Sequence, residues 1–107
     1  SSWVKKYYAI NKTRSGDYKG AKTFIKKQLE RKHSWEDAER TFYVMLAYIS
    51  MKEGNLKKAQ EYFSLQKKQD GIGQTARQFL SDHAAAKDQS FYIDVVETLK
   101  PLGLPEK

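Results

Sequence analysis

"GDYKGA", residues 16–21, returns 38 positions later as "GNLKKA", residues 54–59. At the same offset Ala9 falls on Ala47, Gly16 on Gly54, Lys19 on Lys57, Ala21 on Ala59 and Gln28 on Gln66. The pairs Asp17/Asn55, Tyr18/Leu56, Phe24/Tyr62 and Ile25/Phe63 match in kind. Each match has a physical role in a helical hairpin. Glycine permits the tight turn between two helices, and Asp or Asn caps the second helix. The small alanine lets two backbones approach, and the aromatic or large residue a turn later fills the space between pairs. Recurrence of such a unit at a period between about 20 and 50 residues is the pattern of a helical solenoid.

Outward from the repeat, the apolar spacing is helical throughout. Trp3, Tyr7 and Ile10 stand at i, i+4 and i+7, which predicts a helix over residues 2–14 that is broken by Ser15-Gly16. Ala21, Phe24, Ile25, Gln28 and Leu29 form the next stripe, running to about Lys32, with Lys19, Lys22 and Lys26 opposite. Ser34 followed by Asp37 is a capping-box-like start for a third helix, residues 35–53. Trp35, Ala38, Phe42, Met45 and Ile49 form one stripe of it, and Val44, Ala47, Tyr48 and Met51 extend apolar character around the other side. A helix apolar on most of its circumference is packed on two sides, so this one should be central. Gly54 ends it, and Asn55 opens a fourth helix with the stripe Leu56, Ala59, Tyr62, Phe63 and Leu65. "QDGIGQ", residues 69–74, is the strongest turn signal. Ala76, Phe79, Leu80 and Ala84 suggest a fifth helix. Phe91, Val95, Val96 and Leu99 suggest a sixth, starting at Asp88 or Ser90 and stopping at Pro101. No segment alternates with period two, so no strand is expected.

The ordered sets Ala9-Gly16-Ala21-Ile25 and Ala47-Gly54-Ala59-Phe63 resemble the tetratricopeptide repeat. The resemblance covers residues 3–66 well and 74–105 poorly. Lys5 and Lys12 in the first copy, and Tyr43 and Ser50 in the second, stand where the family usually has tryptophan and tyrosine. The period exceeds the family's by about one helical turn, and "RKHS", residues 31–34, looks like the insertion. In the third unit Asp88, Ile93 and Glu97 replace the glycine, alanine and aromatic, which fits either a degenerate cap or a packing helix pair outside the family. The expectation is an all-α chain of five to six helices in antiparallel helix-turn-helix pairs, stacked as a short, right-handed, tetratricopeptide-like solenoid. Residues 1–107 would form one domain, with units of about 3–33, 34–69 and 74–105. An unrelated helical bundle is the alternative.

The family binds peptides in the groove lined by the first helix of each pair. The resemblance places Trp3, Lys6, Ile10 and Arg14 there from the first helix, and Val44, Tyr48, Met51 and Lys52 from the third. Such a surface, aromatic and apolar with a basic edge, suits an amphipathic or acidic peptide or a second copy of the chain. The competing reading makes Trp3, Ile10 and Tyr48 core residues. The two-carboxylate clamp of chaperone-binding family members is absent, because Lys6 is followed at i+4 by Ile10 rather than asparagine. The functional expectation is a non-enzymatic protein-interaction or scaffold module.

Charge distribution supports a second functional class. The chain carries +7, with ten basic and two acidic side chains in residues 1–33, so that third holds +8 and the remainder −1. Lys19, Lys22, Lys26 and Lys27 form a basic face that could meet nucleic acid or an anionic membrane. Nucleic acid is disfavoured because the lysines lack interleaved Arg, Asn or exposed aromatics that read or stack bases. "WVKKYY", residues 3–8, has the composition of a membrane interface. The start at Ser-Ser-Trp reads as an excised or processed domain, and membrane attachment would then come from a segment upstream of Trp3. A cytoplasmic setting is favoured, with a place next to a membrane as the alternative.

Other chemistry is weakly supported. His33, Ser34 and Asp37 have the letters of a hydrolase triad, but Ser34 and Asp37 are better read as capping residues. "GIG", residues 71–73, lacks the preceding strand and following lysine of a phosphate loop. With no cysteine and only His33 and His83, neither a metal nor a cofactor is expected. Mean hydropathy is −0.81 and no apolar run is long enough to span a bilayer.

Overall fold

The computed structural model describes residues 2–31, 36–70, 79, 81 and 83–102. Among these are five helices and no strand: α1 (Ser2–Arg14), α2 (Tyr18–Glu30), α3 (Glu36–Lys52), α4 (Leu56–Asp70) and α5 (Ser90–Leu99), with a 3₁₀ turn at Lys100–Leu102. The expected start of α3 at Ser34-Trp35 and the "GIGQ" turn lie outside the described residues, as do Ala76 and Leu80.

The two turns of the sequence echo have the same hydrogen bonds. Gly16 and Gly54 take φ of +88° and +80°, the left-handed conformation that ends a helix. In the first turn Gly16 N–H donates to the Thr13 carbonyl (3.0 Å) and Asp17 N–H to Lys12 (3.0 Å). In the second, Gly54 N–H donates to Met51 (3.0 Å) and Asn55 N–H to Ser50 (2.8 Å), each residue 38 beyond its counterpart. This pair of bonds is the Schellman motif, and it satisfies carbonyls that the helix end would otherwise leave open. The caps repeat too. Asp17 Oδ1 accepts from Gly20 N–H (2.9 Å) and Asn55 Oδ1 from Lys58 N–H (3.0 Å).

Burial follows the same register. Ala9, Ala47, Ala21, Ala59, Ile25 and Phe63 are all fully buried. α1 packs on α2, and α3 on α4, while α3 also receives α1, α2 and α5. Phe24 reaches across from the first hairpin to meet Phe42 edge-on, with ring centroids 6.4 Å apart. Every residue from Val44 to Ser50 is buried, as expected for a central helix apolar on most of its circumference.

The fourth stripe needs correction. Ala59 and Phe63 are buried and Tyr62 is half-buried, but Leu56 and Leu65 are exposed. Leu65 lies two residues past Phe63, about 200° around the helix, so it cannot share Phe63's contact with α3. Leu56 is the first residue of α4, ahead of the Ala59 contact. Ala84 is likewise exposed, whereas Phe79 of the same expected stripe is buried. α5 begins at Ser90, where Asp88 Oδ1 accepts from the Ser90 N–H (3.0 Å) and hydroxyl (2.6 Å). It passes into the 3₁₀ turn before Pro101, whose ring is incompatible with a continuing α-helix.

Candidate functional site

The face shared by α1 and α3 is the expected groove, and the chain's own C-terminal segment lies on it. Tyr48 donates a 2.6 Å hydrogen bond from its hydroxyl to Asp94 Oδ2 on α5. Lys52, one turn further along α3, places Nζ 3.3 Å from the same oxygen. The Lys52 ammonium also sits 5.3 Å from the Tyr48 ring centroid, and Phe91 meets that ring edge-on at 5.5 Å. From α1, the Arg14 guanidinium lies 5.6 Å from the ring centroid of Phe91 and 5.7 Å from that of Tyr92. Tyr7 touches His83 edge-on at 5.5 Å.

Repeat symmetry governs these contacts. Arg14 and Lys52 are counterparts at the 38-residue offset, and so are Ile10 and Tyr48. The cation position of both first helices therefore meets α5, Arg14 on the rings of Phe91 and Tyr92 and Lys52 on Asp94. The partner helix supplies the complement, with Phe91, Val95 and Leu99 buried and Asp94 between them.

The protonation states fit a latch. Hydrogen bonding from Tyr48, and then from Lys52, holds the Asp94 carboxyl below the ordinary carboxylate range. Burial first, and then the Asp94 carboxylate, push the Tyr48 phenol far above its ordinary value, so it stays a hydrogen-bond donor. His83 Nδ1 lies 2.8 Å from the Phe79 carbonyl, and its ring stacks on Tyr92 with centroids 4.6 Å apart at 12°. Gln89 Nε2 donates to the carbonyls of His83 and Ala86, both at 2.8 Å, fixing the approach to α5.

The expectation of an open groove is corrected at three positions. Ile10 and Val44 are fully buried and Tyr48 is 5% exposed. The reason is local competition: an apolar face on α3 and an apolar stripe on α5 belong to one chain, and burying both is favourable without any loss of translational freedom. Met51 is half-buried against the core and Lys6 is half-buried. Trp3 is exposed at the far end of α1, edge-on to Tyr7. Sequence reading missed Asp94, the anion that completes the site. Its signal was present, because it is the acid placed inside the stripe Phe91, Val95 and Leu99.

The basic face divides. Lys22 leaves it to bind Glu53 at the end of α3, with Nζ 2.9 and 3.0 Å from the two carboxylate oxygens. Lys19, Lys26 and Lys27 stay exposed, and no carboxylate among the described residues lies within ion-pair distance of them. Lys19 and Lys27 line an open cleft of about 510 Å³ between α1 and α2, together with Tyr8, Lys12 and Phe24. His33, Ser34 and the side chain of Asp37 lie outside the described residues. Among the described residues no cluster of His, Asp and Glu could hold a metal ion, and no helix is long and apolar enough to cross a membrane. No family model, curated protein or solved structure matches this chain.

Proposed function

We propose that the chain is a non-enzymatic, tetratricopeptide-like interaction module whose α1/α3 face binds an amphipathic helix. The two hairpins would stack as the first units of a right-handed solenoid, with α5 occupying the groove as a stand-in for a partner. One observation carries the reading: α5 is held by equivalent positions of both hairpins, through Arg14 on Phe91 and Tyr92 and through Lys52 on Asp94. A face that accepts one helix by aromatic anchors and an acidic latch is suited to another with the same pattern. The partner class that follows is a protein carrying an acidic, aromatic amphipathic helix, which competes with α5.

A labelled peptide copying residues 88–102, titrated into the full chain and followed by fluorescence anisotropy, tests this. In the wild-type chain α5 occupies the site, so trans binding is weakened by the small fraction of open face. Asp94→Ala in the chain removes the acceptor for Tyr48 and Lys52 and should raise peptide affinity about tenfold by populating the open state. The same substitution placed in the peptide should weaken binding to either chain. If neither chain binds the unaltered peptide, the face does not accept a helix in trans and the reading fails.

A further inference from the structure

Trp3, Val4, Tyr7 and Tyr8 are 62%, 51%, 37% and 46% exposed, which puts four large apolar side chains on the outer side of α1. Their counterparts 38 residues on are Thr41, Phe42, Met45 and Leu46, and all four of those are buried. The second hairpin covers these positions by packing on the first, and among the described residues no hairpin covers the corresponding positions of α1. The substitutions are chemically directed. Where the covered copy has Thr41, Met45 and Leu46, the open copy has Trp3, Tyr7 and Tyr8, whose rings combine apolar area with a polar tip. Such side chains are favoured where one end is apolar and the other wet.

Charge surrounds the patch. Tyr8 packs on Phe24 with ring centroids 4.4 Å apart, and the cleft beside this pair is lined by Lys12, Lys19 and Lys27. Lys12 is paired with Asp17 (3.2 Å), which leaves Lys19 and Lys27 to face an anionic partner. Copies of this chain are a poor occupant. On α4 the exposed Leu56 and Leu65 stand nine residues apart, about 180° around the helix, so they form no matching apolar edge, and the exposed Lys57 and Lys58 would bring like charges together in edge-to-edge stacking. Nucleic acid would use the lysines but give the apolar Val4 no role.

We infer that the outer side of α1, with the lysines of α2 beside it, docks this domain peripherally on an anionic phospholipid surface. Trp3, Val4 and Tyr8 enter the headgroup boundary, while Lys19 and Lys27 meet lipid phosphates and carboxylates. The inference uses Trp3, Val4, Tyr8, Lys19 and Lys27, none of which is among the side chains that hold α5, so it does not depend on the helix-binding reading of the α1/α3 face.

The test is co-sedimentation of the full chain with phosphatidylcholine vesicles, with and without phosphatidylserine, at low and at physiological salt. Binding is expected only with phosphatidylserine and should weaken with salt, as the Debye length falls from about 30 Å to about 8 Å. Trp3→Ala with Tyr8→Ala, and separately Lys19→Glu with Lys27→Glu, should each reduce partitioning at least about tenfold. All four residues are exposed, and far-UV circular dichroism checks that the variants remain helical. Lys57→Glu with Lys58→Glu changes net charge equally on α4 and should leave binding nearly unchanged, which separates a located site from bulk charge. Several outcomes would overturn the inference: no binding to either vesicle, equal binding to both, or equal loss in the α4 control. Retention of a DNA duplex in place of vesicles, or a dimer that the Trp3/Tyr8 variant abolishes without any vesicle binding, would overturn it as well.

Discussion

The α1/α2 hairpin and the α3/α4 hairpin share a turn, a cap and a set of buried alanines, yet one is half-wet and the other supplies the centre of the molecule. Gly16 and Gly54 turn the chain through the same hydrogen bonds, and Ala21 and Ala59 are equally buried. The first helices differ. α3 is covered by α1, α2, α4 and α5, whereas Trp3, Val4, Tyr7 and Tyr8 of α1 remain exposed. A local code for a hairpin therefore sets what lies inside each pair. How deeply the outer faces are buried depends on which neighbours arrive.

That contrast is most sharply tested by truncating matched positions. Phe42→Ala should cost about 3–5 kcal/mol, because it opens a cavity where α2 and α3 meet. Its counterpart Val4→Ala should change stability by no more than about 0.5 kcal/mol, being half-exposed on the open side. Chemical denaturation of both variants checks the pair, and comparable losses would mean that α1's outer side is covered in solution.

The shared turn should respond alike in both copies. A Cβ at Gly16 or Gly54 meets no atom within 4 Å, so alanine at either site incurs only the backbone cost of a left-handed conformation. That cost is about 1–2 kcal/mol at each, measurable as similar shifts in denaturation midpoint. A twofold disagreement between Gly16→Ala and Gly54→Ala would show that the two turns are not energetically equivalent.

The smallest effect concerns the latch, which only the second hairpin has. Tyr48→Phe removes the hydroxyl but keeps the ring on Phe91, and should cost about 0.5–1.5 kcal/mol. Acid should mimic it. An unfolded aspartate protonates near pH 3.9, while Asp94 in the fold resists protonation to lower pH. The latch therefore contributes fully above about pH 4 and is lost as pH falls through the lowered folded value. Tyr48 gives the opposite limb: its raised folded value means stability declines as pH rises above about 10, where the unfolded phenol ionises. Denaturation across acid and alkaline pH should show both limbs in the wild type. Tyr48→Phe should blunt them, and unchanged limbs would detach them from the latch.

Much of this could be read directly from the residues. The glycine, capping residue, alanine and large apolar residue in fixed order determined two hairpins with the same turn, because those choices act through backbone conformation and contacts within one pair. The apolar circumference of Val44, Ala47, Tyr48 and Met51 likewise determined that α3 is central. What sequence could not decide was who covers Tyr48. An aromatic beside a lysine at i+4 reads equally as a binding anchor or as core. The choice rests on Asp94, 46 residues away on a helix whose path depends on the whole packing. The same holds for Trp3, Val4 and Tyr8, whose helical spacing resembles that of buried counterparts. Periodicity reports which face of a helix is apolar, and only tertiary structure decides whether a neighbour buries that face.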